Sequence, residues 1–214
     1  MLSLICDLKA GVSPGTPIKV RNYDVYTSGA TTTAGKLASA IYDAVGHYQD
    51  SNPRIPSVIC IASSSSLAGT SSILKSAISA AVAEGLTVVV SAGNNGADAS
   101  GYIPTSYGTT EGVVSVGASN NTNNQIAMSN FGAPVTLLAP GKDVLVMNET
   151  GSYVKMTGTS PSAALAAGTA LTELSMDGSL TPAALEAKLI ANGAVSNTVG
   201  APRVLRTTPV STSP

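Results

Sequence analysis

The sequence has 214 residues, 43% of them hydrophobic, which is enough for one domain of ordinary size with a buried core. Only 11% of the residues are charged, with 11 basic side chains against 12 acidic ones. No basic surface of the kind that neutralises phosphates or holds a membrane is therefore expected, and we predict neither nucleic acid nor a membrane as a partner.

The two ends of the chain differ from its centre. Residues 1–7, MLSLICD, lack a charged region before their apolar run, and that run is too short for a signal peptide or a membrane span. Either the chain is not exported by that route or it has been shortened. Residues 206–214 are typical of a flexible tail, so one domain is predicted over residues 1–205.

Helical and strand patterns alternate in the first half of the chain. Leu37, Ile41 and Val45 recur at helical spacing and predict a helix over residues 33–48. A β-branched run predicts a buried strand at 57–63, followed by a helix at 70–84 and a strand at 86–90. Because strand, helix and strand are joined by short links, a parallel sheet is expected.

The alternation continues in the second half. Strands are predicted at 113–118 and 135–138, with a hairpin formed by 144–147 and 153–157. Helices follow at 160–174 and at 181–190, the latter with Thr181 as N-cap and Pro182 in its first position. The pattern predicts an α/β fold, with any site at the carboxyl ends of the parallel strands.

The two cysteines, Cys6 and Cys60, lie far apart in the sequence. Cys60 falls within the apolar run VICI at 58–61, where a free thiol behaves as a small hydrophobic side chain. We therefore predict two reduced thiols rather than a disulfide.

Four stretches, in order along the chain, carry a family resemblance. They are GVSPGTPIKV at 11–20, VVVSAGNNGADAS at 88–100, SNFG and LLAPG within 129–141, and GTSPSAALAAG at 158–168. Together they resemble the subtilisin-like (subtilase, peptidase S8) serine peptidases, with the proteinase K branch nearest. The resemblance implies a three-layer α/β sandwich with a mainly parallel sheet, truncated on the N-terminal side that carries the family's catalytic Asp and His.

The resemblance assigns two catalytic positions. Ser160 takes the place of the nucleophile, at the start of a helix whose N–H groups and dipole face a developing oxyanion. Asn94 takes the place of the second oxyanion donor. Each residue also has a purely structural interpretation, because Ser160 before Pro161 is a good helix cap and Asn in a glycine turn tolerates a left-handed backbone.

Substrate and metal positions have changed relative to the family. The substrate-lining triplet SLG of the family corresponds to Ala62, Ser63 and Ser64, so backbone contacts to a peptide can survive while side-chain specificity cannot be carried over. A calcium-binding carboxylate of proteinase K-like relatives corresponds to Thr136. No metal is therefore predicted there, and no cofactor is implied.

The base that a serine nucleophile requires is not evident. A serine hydroxyl becomes reactive when a His, held by a carboxylate, takes its proton. The one histidine, His47, lies downstream of the GVSPG stretch, whereas the family's catalytic His lies upstream, so we interpret His47 as a solvated residue near a helix C-terminus. Asp7 is a candidate relic of the relay Asp, with residues 1–10 as a remnant strand, or else it caps a turn.

Two functions follow from these observations. The first is a degenerate peptidase domain, inactive as an isolated chain, that serves as a structural or binding module. Its partner would be a protein, a further copy of the chain at an exposed sheet edge, or a peptide, and a virus particle is one such assembly. The second is a serine endopeptidase in which Ser160 acts with Asp and His from another chain or a missing segment. A third interpretation, a phosphate cradle at 93–96, lacks the Lys that follows known phosphate loops.

Overall fold

The computed structural model describes residues 2–6, 17–26, 32–66 and 71–206, so Asp7, most of the GVSPG stretch and residues 207–214 lie outside the described part. Within it, helices α1 to α5 span Leu2–Cys6, Ala34–Gln49, Ser72–Ala83, Thr159–Met176 and Pro182–Ala191. Strands β1 to β8 span Val58–Ile61, Ser65–Ser66, Thr87–Ser91, Tyr102–Ile103, Val113–Ser119, Leu137–Pro140, Val144–Met147 and Tyr153–Met156.

Four parallel strands form the central sheet in the order β1, β3, β5, β6. Every residue of β3 and β5 is buried, whereas three of the four residues of β1 are only partly buried. Within the described residues β1 pairs with β3 alone, so it forms one edge of this sheet. Two short antiparallel pairs, β2 with β4 and β7 with β8, lie outside the central sheet.

Helices cover both faces of the central sheet. Along β3, Val88 and Val90 join the apolar cluster formed with α2 and α3, while Val89 joins the cluster formed with α4 and α5. This alternation is the period of two that a strand imposes on its side chains. The three-layer α/β architecture is thereby confirmed. No helix in the described ranges has the length and apolar character needed to cross a bilayer.

The starts of three helices follow from their capping side chains. The hydroxyls of Thr33, Ser71 and Thr181 each accept a hydrogen bond from the backbone N–H three residues later. Each satisfies one of the N–H groups that a helix leaves without an internal partner. The helices predicted at 33–48, 70–84 and 181–190 are confirmed within two residues at either end.

The predicted remnant strand at the N-terminus is wrong over residues 2–6, which form helix α1. Leu4 is 1% exposed and packs with Val146, Ala164 and Leu165 in a small apolar cluster between β7 and α4. Helix α1 is only five residues long, and it lies against helix α4 and strand β7 of the hairpin rather than along a strand edge.

One strand is displaced from its predicted position. The pattern predicted residues 135–138, whereas β6 spans Leu137–Pro140. The backbone N–H of Val135 donates to the Gly132 carbonyl in a turn, and that of Thr136 donates to the Ser115 carbonyl. Because of this turn, the pairing of β6 with β5 begins at Leu137 and continues to Pro140.

Candidate active site

Three segments meet at the carboxyl edge of the central sheet. Strand β1 leads into Ala62, strand β3 leads into the turn that contains Gly93 and Asn94, and helix α4 places Ser160 in its first turn. Direct hydrogen bonds join Ser160 to Ala62, and Thr159 to both Gly93 and Asn94. The structure thus brings Ser160, Asn94 and Ala62 together, although they are separated by up to 98 positions in the sequence.

The Asn94 side chain is held by Thr159. Its Oδ1 accepts from the Thr159 backbone N–H at 2.9 Å and from the Thr159 hydroxyl at 3.0 Å. The Thr159 Oγ1 in turn accepts from the Gly93 N–H at 3.1 Å, and Thr159 is 0% exposed. Asn94 is exposed, and its Nδ2 has no hydrogen-bond partner among the described residues. The left-handed backbone suggested for Asn94 is wrong, since among the described residues other than glycine only Asn123 and Asp143 have positive φ.

Ser160 lies in the first turn of α4 but does not cap it. The N-cap is Gly158 and the helix begins at Thr159, so the capping interpretation of Ser160 is wrong. The partly exposed Ser160 side chain donates from Oγ to the Ala62 carbonyl oxygen at 2.9 Å. Its own backbone N–H belongs to the first turn, where helical N–H groups have no partner within the helix. That this N–H and Asn94 Nδ2 serve as the two oxyanion donors stays a prediction of the family resemblance.

Glycine is required at two places in this arrangement. Gly93 has φ +100°, and a Cβ there would come within 2.7 Å of the Ser64 hydroxyl. Gly158 has φ +148°, and a Cβ there would lie 3.2 Å from Asn94 Nδ2. Positive φ values of this kind are readily adopted by glycine alone. The glycines of the sequences AGN and GTS therefore shape the backbone around the donors.

His47 lies near the end of the sheet at which the parallel strands begin, whereas Ser160 lies at the end at which they finish. It is exposed in the last turn of α2, as predicted, with Nδ1 2.8 Å from the Tyr23 hydroxyl. The neighbouring Tyr48 hydroxyl lies beside Gly85, just before β3 begins, whereas Ser160 contacts the segments that follow β1 and β3. The length of β3, about 13 Å, separates these two ends.

No base contacts the Ser160 hydroxyl in the described ranges. Its hydrogen-bond acceptor is a peptide carbonyl oxygen, and a neutral carbonyl accepts a hydrogen bond without being able to take the proton at neutral pH. Asp7, the candidate relic of the relay Asp, lies outside the described residues. Within the described residues the arrangement therefore places a serine hydroxyl near the Asn94 amide but offers no base that could activate the hydroxyl.

The Thr136 side chain makes hydrogen bonds within the fold. Thr136 Oγ1 accepts from the Ser115 N–H at 3.1 Å and lies 3.4 Å from the Val113 carbonyl, so it ties β5 to the segment before β6. Among the described residues no group of three His, Cys, Asp or Glu side chains is placed to hold a metal ion.

Cys60 is a free thiol, and desolvation by burial raises its pKa to about 12. The side chain of Cys6 lies outside the description.

Comparison with known proteins decides the family. The family model described as the Subtilase family matches residues 7–206. The chain belongs to the subtilase family. This subtilase chain also resembles the structure described as a cold adapted subtilisin-like serine proteinase, with a TM-score of 0.83 at 26% identity over 96% of this chain and 72% of that one. The predicted family and fold class are confirmed.

Curated subtilases match over part of their length. Alkaline serine exoprotease A of Vibrio alginolyticus is 32% identical over 177 residues, which cover 81% of this chain and 31% of that protein. Subtilisin-like protease 2 of Pseudogymnoascus destructans is 36% identical over 133 residues, which cover 61% of this chain and 32% of that protein. The chain thus spans about a third of the length of these relatives.

Sequence reasoning missed the part played by Thr159. This residue lies inside the GTS triplet, whose serine is the position that the family resemblance identifies. A threonine flanked by glycine and serine at the start of an apolar helix was the available signal, because a buried hydroxyl needs hydrogen-bond partners. Those partners, Gly93 and Asn94, lie 66 and 65 positions away.

Proposed function

We propose that this subtilase domain binds polypeptide at the carboxyl edge of its sheet and does not hydrolyse it as an isolated chain. The observation that carries the proposal is the hydrogen bond from Ser160 Oγ to the Ala62 carbonyl oxygen. The proton of that hydroxyl is directed at a group that cannot take it. The chain's one histidine is bonded to Tyr23 at the other edge of the sheet.

The expected loss of activity is large. In a serine peptidase the hydroxyl, its base and the orienting carboxylate act as a unit, and loss of the base costs roughly six orders of magnitude in kcat. Oxyanion donors and substrate binding alone leave a residual acceleration of about 10³ to 10⁴ over water. We therefore expect turnover near the detection limit for the isolated chain, even with Asn94 and Ser160 in place.

The binding part of the proposal concerns the segment from β1 to Ser64. Strand β1 has a ladder partner on one side only within the described residues, and Ala62, Ser63 and Ser64 continue from it half-buried. An extended polypeptide can pair with such an edge through backbone hydrogen bonds, whether it comes from a peptide, a partner protein or a second copy. Participation in a larger assembly such as a virus particle stays a prediction.

A second candidate function is peptide-bond hydrolysis with Asp and His supplied by another polypeptide or another segment. The observation that favours it is the Asn94 amide, whose Oδ1 is fixed by Thr159 while Nδ2 has no acceptor among the described residues. A donor oriented in this way is useful to a tetrahedral intermediate. Under this hypothesis Ser160 would be the nucleophile once a base is provided.

Hydrolysis of a peptide mixture tests the proposal. The purified chain and its Ser160→Ala variant are incubated with unstructured peptides, and products are counted by mass spectrometry. We expect no product above that formed by the variant, together with equal peptide binding by both proteins. Products that disappear in Ser160→Ala would overturn the proposal. Products that form only after a His-bearing polypeptide is added would support the second function.

A further inference from the structure

A shallow cleft lies beside the segment that leads into Ser160. We call it the Lys142 cleft; its volume is about 370 Å³ and it opens to solvent. Ile126, Ala127 and Met128 contribute an apolar lining, and the polar lining residues are Asn120, Gln125, Lys142 and Thr157. The function proposed above does not account for this cleft.

Two connections join the Lys142 cleft to the candidate active site. Thr157 lies three positions before Ser160, so their Cα atoms are at most about 11 Å apart. The Met128 carbonyl accepts from the Gly96 N–H at 2.9 Å, which ties the apolar lining to the turn that contains Asn94. A polypeptide that passes Ser160 would reach the cleft within three or four residues, since an extended chain advances about 3.3 Å per residue.

Hydrogen bonds within the protein leave donors for a ligand at two of the polar lining residues. Asn120 Oδ1 accepts from the Thr122 N–H, the Thr122 hydroxyl and the Asn124 N–H at 3.0, 2.8 and 3.0 Å, so the remaining group of this amide is its Nδ2 donor. Thr157 Oγ1 accepts from the Asp143 N–H at 3.0 Å and keeps its own proton to donate.

Gln125 differs from the other polar lining residues. Its Nε2 donates to the Ser129 carbonyl at 3.2 Å, which leaves Oε1 as an acceptor. An acceptor of this kind suits a backbone N–H of a bound polypeptide. The side chain is half-buried, and its backbone N–H donates to the Thr198 hydroxyl at 2.8 Å, so Gln125 is anchored on two sides.

Among the described residues that line the cleft, Lys142 is the one that is charged. Its side chain is exposed and forms no ion pair with any described residue. The ion pairs found among the described residues join Arg54 to Glu84 and Lys188 to Glu173. A cation together with amide and hydroxyl donors matches a carboxylate, whose oxygens only accept hydrogen bonds. The apolar lining matches the methylene groups that precede a side-chain carboxylate.

We propose that the Lys142 cleft binds a carboxylate of a polypeptide that lies across the Ser160 edge of the sheet. The carboxylate is that of an acidic side chain or of a C-terminus, since both present the same two oxygens. This proposal rests on the polypeptide-binding function proposed above and names the chemical class that the site selects. Lys142 would then determine specificity without touching the Ser160 hydroxyl.

Three matched peptides test the proposal by fluorescence anisotropy with the full chain. All are N-acetylated and dye-labelled: one carries Glu and a C-terminal amide, one carries Gln and an amide, and one carries Gln and a free C-terminal carboxylate. We expect at least one carboxylate peptide to bind about three- to tenfold more tightly than the neutral peptide. The peptide with the greater gain identifies the source of the carboxylate.

Two lysine variants provide the matched comparison. Lys142→Gln should abolish the preference, whereas Lys155→Gln, which removes an exposed lysine of β8 outside the cleft lining, should leave it intact. Melting curves establish that both variants fold. Equal affinity for all three peptides would overturn the proposal, as would a preference that persists in Lys142→Gln.

The two proposals fail in different ways. If mass spectrometry of the same samples shows Ser160-dependent cleavage while the carboxylate preference holds, the non-hydrolysing function is wrong and the cleft is supported. If the peptides stay intact and bind without preference, the cleft proposal alone is wrong. If no peptide binds at all, both proposals are wrong.

Discussion

Asn94 and Thr159 are joined by two hydrogen bonds, because Asn94 Oδ1 accepts both the backbone N–H and the hydroxyl proton of Thr159, at 2.9 and 3.0 Å. The same Thr159 oxygen accepts from Gly93 at 3.1 Å. The turn that follows β3 and the first turn of α4 are therefore one hydrogen-bonded unit. Thr159 contributes to the site by positioning Asn94 rather than by contact with a ligand.

Replacement of Thr159 by Val removes these side-chain hydrogen bonds at nearly constant volume. The Gly93 N–H is then left unsatisfied in a buried place, and we expect the free energy of unfolding to fall by about 1–3 kcal/mol. Urea denaturation measures the change. Thr159→Ser keeps the hydroxyl and should cost less, while Thr109→Val, at an exposed position outside the site, should have little effect. Equal stability of Thr159→Val and wild type would contradict the assigned role.

Replacement of Gly158 by Ala tests the close approach of the backbone to Asn94. The added Cβ would lie 3.2 Å from Asn94 Nδ2 at a residue with φ +148°, whereas Gly151, at φ +78°, has open space around it. Gly151→Ala should lower the free energy of unfolding only through the cost of a left-handed backbone at Ala, about 1–2 kcal/mol. We expect Gly158→Ala to lose more stability than Gly151→Ala in the same thermal or urea unfolding experiment. If Gly151→Ala lost more stability than Gly158→Ala, a Cβ close to Asn94 would not be what makes Gly158 necessary.

Glu186 makes the stability of the fold depend on pH. Burial raises the pKa of its carboxyl group, the hydrogen bond from the Gly112 N–H lowers it, and the charge of Glu111 raises it, with a net shift upward. A carboxyl group whose pKa is raised in the folded state contributes stability that is present below the unfolded pKa, about 4.3, and is lost as pH rises through the folded pKa.

Glu186→Gln should remove this pH dependence, because an amide oxygen still accepts from Gly112 and no charge forms. The stability of the variant relative to wild type should therefore rise as the pH increases from the unfolded pKa, about 4.3, through the higher pKa of the folded state, as measured by urea unfolding at each pH. Glu149→Gln, at an exposed position, serves as the control. A difference between Glu186→Gln and wild type that stays constant with pH would contradict the prediction.

The layered fold could be predicted because hydrophobic spacing identifies the buried faces. Val88 to Val90 form a continuous apolar run, and such a run is typical of a strand with helices on both sides. The N-terminal segment could not be predicted in this way. Five mostly apolar residues are compatible with a strand or a helix, and contacts of Leu4 with α4 and β7 accompany the helix.

The sequence predicted which residues belong to the site, but not which hydrogen bonds they make. The GTS and AGN sequences located Ser160 and Asn94, which the fold then brings to one edge of the sheet. The acceptor of the Ser160 hydroxyl and the anchor of the Asn94 amide depend on segments 98 and 65 positions apart. No local pattern encodes such distant approaches, so Ala62 as an acceptor and Thr159 as an anchor became visible only in the structure.

The reactivity of Ser160 toward a fluorophosphonate probe is the most direct test of whether its hydroxyl is activated. Labelling is followed by intact mass for the folded chain, for the chain unfolded in urea, and for Ser160→Ala. Because the hydroxyl donates to a carbonyl oxygen rather than to a base, we predict that the folded chain labels at Ser160 no faster than the unfolded chain. Rapid labelling of the folded chain alone, lost in Ser160→Ala, would contradict this.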